Sequence, residues 1–338
     1  MRIQDFDYQL PEDLIAQTPI EPRDSARLLV DQGLAVPLHR QVKDFAEFCL
    51  PGDVIVVNDT KVIPARLRLM RKSGGSAEVL LLEQDEDLPY SWEALIRPAK
   101  RLKVGEQLMA KDGREIVRIG DRTSSGDTFA VLLSGETQTE IQELLAKYGE
   151  MPLPPYIYER LEKPDRYQTV YANRPASAAA PTAGLHFTPK LIEDLKKLGV
   201  KVLTVDLTVG LDTFAPVTAE NPLDHPMHSE QYQVSQETLD HCARANRVIA
   251  IGTTATRALE SAATTGVLSG RTKMFISRGY EFKVVDLLLT NFHMPRTTLL
   301  MMIDAFVGSR WREIYSLAIS ERYRMLSFGD AMLLNRHL

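Results

Sequence analysis

The stretch Ala178-Ala179-Ala180-Pro181-Thr182-Ala183-Gly184-Leu185-His186-Phe187-Thr188 sets one histidine among uncharged residues, directly before a helix start. Thr188 is a natural N-cap and Pro189 suits the first helical position; Leu191, Ile192, Leu195 and Leu198 then recur with helical period until Gly199. His186 is therefore expected beside free backbone N–H groups, where an anion or developing negative charge is stabilised. An imidazole so placed can move a proton near neutral pH; the other reading is a histidine hydrogen-bonded beneath a loop.

Three further polar clusters come directly after apolar runs suited to buried strands. Val54-Ile55-Val56-Val57 leads to Asn58-Asp59-Thr60, and Val248-Ile249-Ala250-Ile251 leads to Gly252-Thr253-Thr254-Ala255-Thr256-Arg257 and a helix. Leu287-Leu288-Leu289 leads to Thr290-Asn291-Phe292-His293. In α/β sheets ligands gather beyond the carboxyl ends of strands, so the three clusters are expected to share a pocket with His186. Taken singly, Asn-Asp-Thr also reads as a turn and Gly-Thr-Thr as a helix cap.

Asp224-His225-Pro226-Met227-His228-Ser229-Glu230 brings two imidazoles and carboxylates together and invites a metal reading. Pro226 forbids a helix there and no Cys-rich knuckle is present, which leaves His228 and Glu230 as an acid/base pair on one face of an extended segment. From Val200 to Val209 the chain alternates, with Leu203, Val205, Leu207 and Val209 on one face and Thr204, Asp206 and Thr208 on the other.

The elements that hold these groups fall into two textures. Between Ala65 and Gly149, short β-type runs (66–70, 77–82, 92–96, 107–110, 116–119, 129–133) alternate with turn signals such as Gly74-Gly75 and Asp112-Gly113, the pattern of a small barrel or sandwich. Before and after it, apolar strands alternate with helical patterns, as in an α/β layer domain. The reading is an α/β domain over 1–65 and 150–338 with a β-domain inserted at 66–149, and the proline-rich return Met151-Pro152-Leu153-Pro154-Pro155-Tyr156 is stiff.

With 338 residues, 44% apolar and 25% charged, the chain is composed like a soluble globular protein of two domains. Cys49 and Cys242 show no metal-type spacing, which favours a reduced, cytoplasmic setting. No signal peptide opens the chain, and the apolar run from Leu299 to Val307 is broken by Asp304, so no membrane span is expected. A net charge of −5 argues against nucleic acid unless a local basic patch outweighs the average.

Taken in order, the segments resemble the S-adenosylmethionine:tRNA ribosyltransferase-isomerase family of queuosine biosynthesis. The resemblance rests on Gly52-Asp53-Val54 through Pro64-Ala65-Arg66, Pro152 to Ile157, Tyr167 to Ala172, Ala180 to Thr188, Met227-His228-Ser229-Glu230, Gly252-Thr253-Thr254, Thr290 to Pro295 and Ser327 to Met332. It implies an α/β catalytic domain with an inserted small antiparallel β-barrel. It also implies transfer of the ribosyl part of S-adenosylmethionine onto 7-aminomethyl-7-deazaguanine at the wobble position of a tRNA, with loss of adenine and methionine to give epoxyqueuosine. Where the family typically reads Leu-His-Val-Gly-Leu-Gly-Thr-Phe, this chain has Leu207-Thr208-Val209-Gly210-Leu211-Asp212-Thr213-Phe214, so one imidazole is lost from the polar strand face and a glycine is replaced.

Such a reaction needs a base beside the sulfonium and an acid for departing adenine. His186 is the first candidate, with His228, Glu230 and His293 as partners. Asp59 is expected to hold an amine or cation, Thr253 and Asn291 to hydrogen-bond base or ribose, and Thr182 and Arg257 to complete the substrate site; S-adenosylmethionine enters as substrate, with no cofactor and no metal. Arg66, Arg68, Arg71 and Lys72 are the expected tRNA contacts, whereas Trp311, Ile314, Tyr315 and Ala318 keep the spacing of a helix core. Two alternatives stand beside this reading: a metal-dependent hydrolase using His225, His228 and Glu230, and a non-catalytic RNA-binding module.

Overall fold

The structure is a computed structural model and describes all residues except Leu34, Glu86, Ser124, Ser125, Asp127, Ala178, 209–216, Thr218, Pro226, His228, His337 and Leu338. The chain forms β1 (Arg27–Gln32), β2 (Ala35–Gln41), β3 (Val54–Asn58) and a short β4 (Thr60–Val62), then β5 (Arg66–Arg71), β6 (Ser76–Gln84), β7 (Ser91–Arg97), β8 (Gln107–Met109), β9 (Glu115–Arg122) and β10 (Phe129–Leu133). Helix α1 (Gln138–Tyr148) and β11 (Gly149–Glu150) close this run. After β12 (Arg174–Ser177) come α2 (Pro189–Lys197), β13 (Lys201–Leu207), β14 (Glu230–Gln233), α3 (Gln236–Arg244), β15 (Val248–Ile251) and α4 (Thr253–Thr265). The chain ends through β16 (Ser269–Thr272), β17 (Leu287–Asn291), α5 (Thr298–Val307), α6 (Trp311–Ser320) and β18 (Ala331–Asn335).

Two compact units result. Met1–Thr60, Pro154–Arg174 and Ala180–Leu338 make the larger one, and Lys61–Leu153 with Pro175–Ala179 the smaller. In the larger unit a nine-stranded sheet runs in the order β16-β14-β13-β3-β15-β17-β18-β1-β2. Its centre, β13-β3-β15-β17, is parallel, and every residue of β3, β15 and β17 is buried, because helices cover both faces. On one face Ile55, Val57, Ile249, Ile251 and Leu289 pack with Phe187, Leu191 and Leu195 around α2. Thr188 caps α2 by accepting the Leu191 N–H at 3.1 Å, as its sequence position requires.

In the smaller unit β5-β6-β7-β10-β9-β8 form an antiparallel sheet that closes on itself through β5–β8 pairing, a six-stranded barrel whose edges are removed. Alternating residues such as Leu67, Leu69, Val79, Leu81, Val117 and Val131 fill it. The turn-rich texture hid one element: α1 runs from Gln138 to Tyr148 behind a capping box, Thr137 accepting the Glu140 N–H while the Glu140 carboxylate accepts that of Thr137.

Asp304, which breaks the apolar run of α5, is fully buried and takes a two-pronged ion pair from Arg278 together with the Trp311 indole N–H at 3.0 Å. Among the described residues no helix is long and apolar enough to cross a membrane.

Candidate active site

Asn291 ends β17 and organises the site. Its Oδ1 accepts the Thr182 hydroxyl at 3.0 Å; its Nδ2 faces His186 Nε2 at 3.1 Å and the Asp330 carbonyl at 3.3 Å. An amide nitrogen only donates, so His186 Nε2 accepts and the imidazole is neutral. Burial, followed by the guanidiniums of Arg324 and Arg166, lowers the His186 pKa to about 4; a hydrogen bond with the Arg23 backbone opposes this, by more than the Arg23 guanidinium adds to it. The Asp330 carboxylate accepts the N–H groups of Arg27 and Arg324, both at 2.8 Å, which fixes the carbonyl that steadies Asn291. Gly329 before it has no alternative: a Cβ there would lie 2.5 Å from the Arg324 oxygen and the Met325 carbonyl carbon.

Two clefts meet at His293. One is bounded by Tyr156, Thr182, Asn291, His293 and Ser327 among others; the second is bounded by Ala180 to Ala183, Gly252 to Thr254, Thr290, His293 and Leu299; each encloses only about 20 Å³. The His293 backbone is clamped on both sides, its N–H donating to the Tyr315 hydroxyl at 3.0 Å and its carbonyl accepting from Tyr8 at 2.5 Å. Its Nε2 lies 3.1 Å from Thr290 Oγ1, and burial lowers its pKa to about 3. His186 borders neither cleft. It stands behind Asn291, whose Oδ1 takes the Thr182 hydroxyl, so of the two histidines only the one just past β17 borders these clefts.

Asp59 and Asp206 sit at the carboxyl ends of the neighbouring strands β3 and β13. Asn58 ties these ends together, accepting the N–H groups of Thr60 and Leu207 and donating to the Leu207 carbonyl. Burial raises both aspartate pKa values; Arg174, 3.3 Å from Asp206 Oδ1, opposes it, and for Asp206 the nearby Asp59 adds to the rise. Asp206 Oδ2 and the buried Thr208 Oγ1 have no hydrogen-bond partner among the described residues. Glu230, which opens β14, and Arg257 of α4 form a close ion pair, both about 6% exposed, which takes Glu230 out of any ready metal set. Among the described residues no group of histidine, cysteine and carboxylate side chains could hold a metal ion. His228 and Asp212 lie outside the described residues.

The family model described as "Queuosine biosynthesis protein" matches residues 3–334. Curated relatives named S-adenosylmethionine:tRNA ribosyltransferase-isomerase, from Staphylococcus epidermidis and Carboxydothermus hydrogenoformans, are 47% and 46% identical over 99% of this chain and 100% of each relative. The crystal structure of an S-adenosylmethionine tRNA ribosyltransferase from Thermotoga maritima matches with a TM-score of 0.55 at 36% identity, covering 97% of this chain and 99% of that one. The chain belongs to the S-adenosylmethionine:tRNA ribosyltransferase-isomerase family. In this member of the family, Thr208 is a buried hydroxyl just past the end of β13, two residues from Asp206.

The four expected tRNA contacts of this family member divide on β5 and just after it. Arg71 is held by Glu106 through two hydrogen bonds and by the Arg101 carbonyl, and Arg66 by the Leu153 carbonyl. Arg68 pairs with the exposed Glu150, and Lys72 with Gln107, both at the surface. Sequence reasoning missed Asp330, Tyr8 and Tyr315 as supports of the site; the Ser327 to Met332 motif carried a signal for the first, and helical spacing showed Tyr315 only as core.

Proposed function

We propose that the chain transfers and isomerises the ribosyl moiety of S-adenosylmethionine onto 7-aminomethyl-7-deazaguanine at the wobble position of tRNA, releasing adenine and methionine and giving epoxyqueuosine-tRNA. The observation that carries this is the neutral His293 on the wall common to both clefts, beside a Thr182–Asn291 pair of fixed orientation. His293 exchanges the proton with substrate. His186 is a positioning residue acting through Asn291, whose amide hydrogen-bonds base or ribose together with Thr182. The Asp59–Asp206 pair, short of one cation, receives the amine. Arg68 and Lys72 meet the RNA backbone. The reaction requires no metal or added cofactor, and a tRNA substrate places the work in the cytoplasm.

Adenine release from S-adenosylmethionine in the presence of tRNA bearing the aminomethyl base tests the reading; none at any enzyme concentration refutes it. His293→Gln should lower kcat by on the order of 10² or more, since proton-transfer groups contribute about 10² to 10⁴. His186→Gln, which keeps an acceptor for Asn291, should retain far more activity than His186→Leu. Equal activity in the two His186 variants would show that the Asn291 contact plays no part.

A further inference from the structure

Helix α4 starts at the carboxyl end of β15 through Gly252, at φ +90°, a backbone angle that glycine adopts without strain. Its first internal bond runs from the Thr256 N–H to the Gly252 carbonyl at 3.2 Å. The N–H groups of Thr253, Thr254 and Ala255 are those a helix start leaves over, and among the described residues none meets an acceptor. In α1, α2, α3 and α5 a Thr or Ser hydroxyl takes up part of this deficit.

A second observation lies on the same turn. Thr254 is only 8% exposed and borders the second cleft, and among the described residues its Oγ1 has no hydrogen-bond partner. That oxygen lies 3.7 Å, and the Ala183 Cβ 3.4 Å, from where a Cβ on Gly252 would sit, so the hydroxyl stands beside the turn that opens the helix. Together the hydroxyl and those N–H groups ask for an acceptor, and the positive end of the helix favours a charged one. The residues bordering this cleft include no Lys, Arg, Asp or Glu, and the helix start is thus the field an anion meets there.

We infer that the first turn of α4, with Thr254 Oγ1, seats a carboxylate, the one at the amino-acid end of S-adenosylmethionine; this rests on the reading of that molecule as substrate given above. A phosphodiester of the RNA is the other anion available. It carries sugar on both sides and is ordinarily met by Lys or Arg, which this wall lacks, whereas Ala180, Pro181, Ala183 and Leu299 suit the aliphatic part of the amino acid.

Calorimetric binding of S-adenosylmethionine, of its decarboxylated analogue and of tRNA alone decides the matter, using wild type, Thr254→Val and Thr254→Ser. Wild type should bind S-adenosylmethionine at least about 10-fold tighter than the decarboxylated analogue, the worth of one hydrogen bond to a charged group. Thr254→Val should weaken S-adenosylmethionine by about 10-fold, leave the analogue and tRNA unchanged, and keep its thermal midpoint, because the lost hydroxyl had no partner. Thr254→Ser should restore the discrimination. Equal loss for both small molecules, or no loss for either, overturns the carboxylate seat; weakened tRNA with S-adenosylmethionine unchanged overturns it in favour of phosphate. Absence of any S-adenosylmethionine binding by folded wild type would bring down the substrate reading itself, and the seat with it.

Discussion

Asn291 stands between two histidines that share burial but differ in surroundings. His186 is hemmed in by Arg23, Arg166 and Arg324, whereas burial alone holds down His293. Both remain neutral where a free imidazole would begin to charge. An unfolded histidine takes up its proton near pH 6.5, the folded ones only at about 4 and about 3. Between pH 6.5 and 4 the unfolded chain therefore binds more protons, and stability falls as pH falls through that window. Each unit of depression is worth about 1.4 kcal/mol. Asp59, Asp206 and Asp330, raised by burial, act with the opposite sign. Denaturant midpoints from pH 4.5 to 7 should drop steeply for wild type and flatten in the His186→Gln/His293→Gln double variant; identical slopes would assign the acid sensitivity elsewhere.

Strand β5 and the residue after it show how like charges are sorted. Arg71 is fixed by Glu106 inside a partly covered contact, while Arg68 and Lys72 reach solvent. Arg68→Glu or Lys72→Glu should weaken tRNA binding and reduce the slope of log affinity against log salt by about 1 each, because each removes a released counterion. Arg71→Ala should lower the thermal midpoint slightly and leave that slope unchanged; a changed slope would make Arg71 a phosphate contact after all. The barrel strands were legible because residues 66 to 133 alternate between glycine-marked turns. Helix α1 was not, although the Thr137/Glu140 box announced it, because the surrounding turn density outweighed eleven residues of helical pattern. The ends of β15 and β17 were legible through a different pattern: buried parallel strands read as unbroken apolar runs, and the polar residues at their carboxyl ends border the clefts, whereas Asn58-Asp59-Thr60 at the end of β3, read in the same way, borders neither.

Over the whole molecule, each unit carries its own core, so excision of residues 61–153 with a short linker should leave a folded α/β unit that binds tRNA more weakly. Circular dichroism and a binding titration check both halves, and unchanged affinity would move the RNA contacts off the barrel. What stayed illegible in the sequence is long-range: no local pattern tells that Tyr8 clamps His293 or that Arg27 and Arg324 converge on Asp330, since those partners meet only after the sheet is assembled. That convergence also makes the fold its own clock. The amides of Arg27 and Arg324 can trade hydrogen for solvent deuterium only when the Asp330 carboxylate lets them go, and the same residue's carbonyl steadies Asn291. Although Arg27 opens a strand, where exchange is ordinarily fast, both amides should belong to one slow class, and their common rate counts how often the amide that orients the site is released.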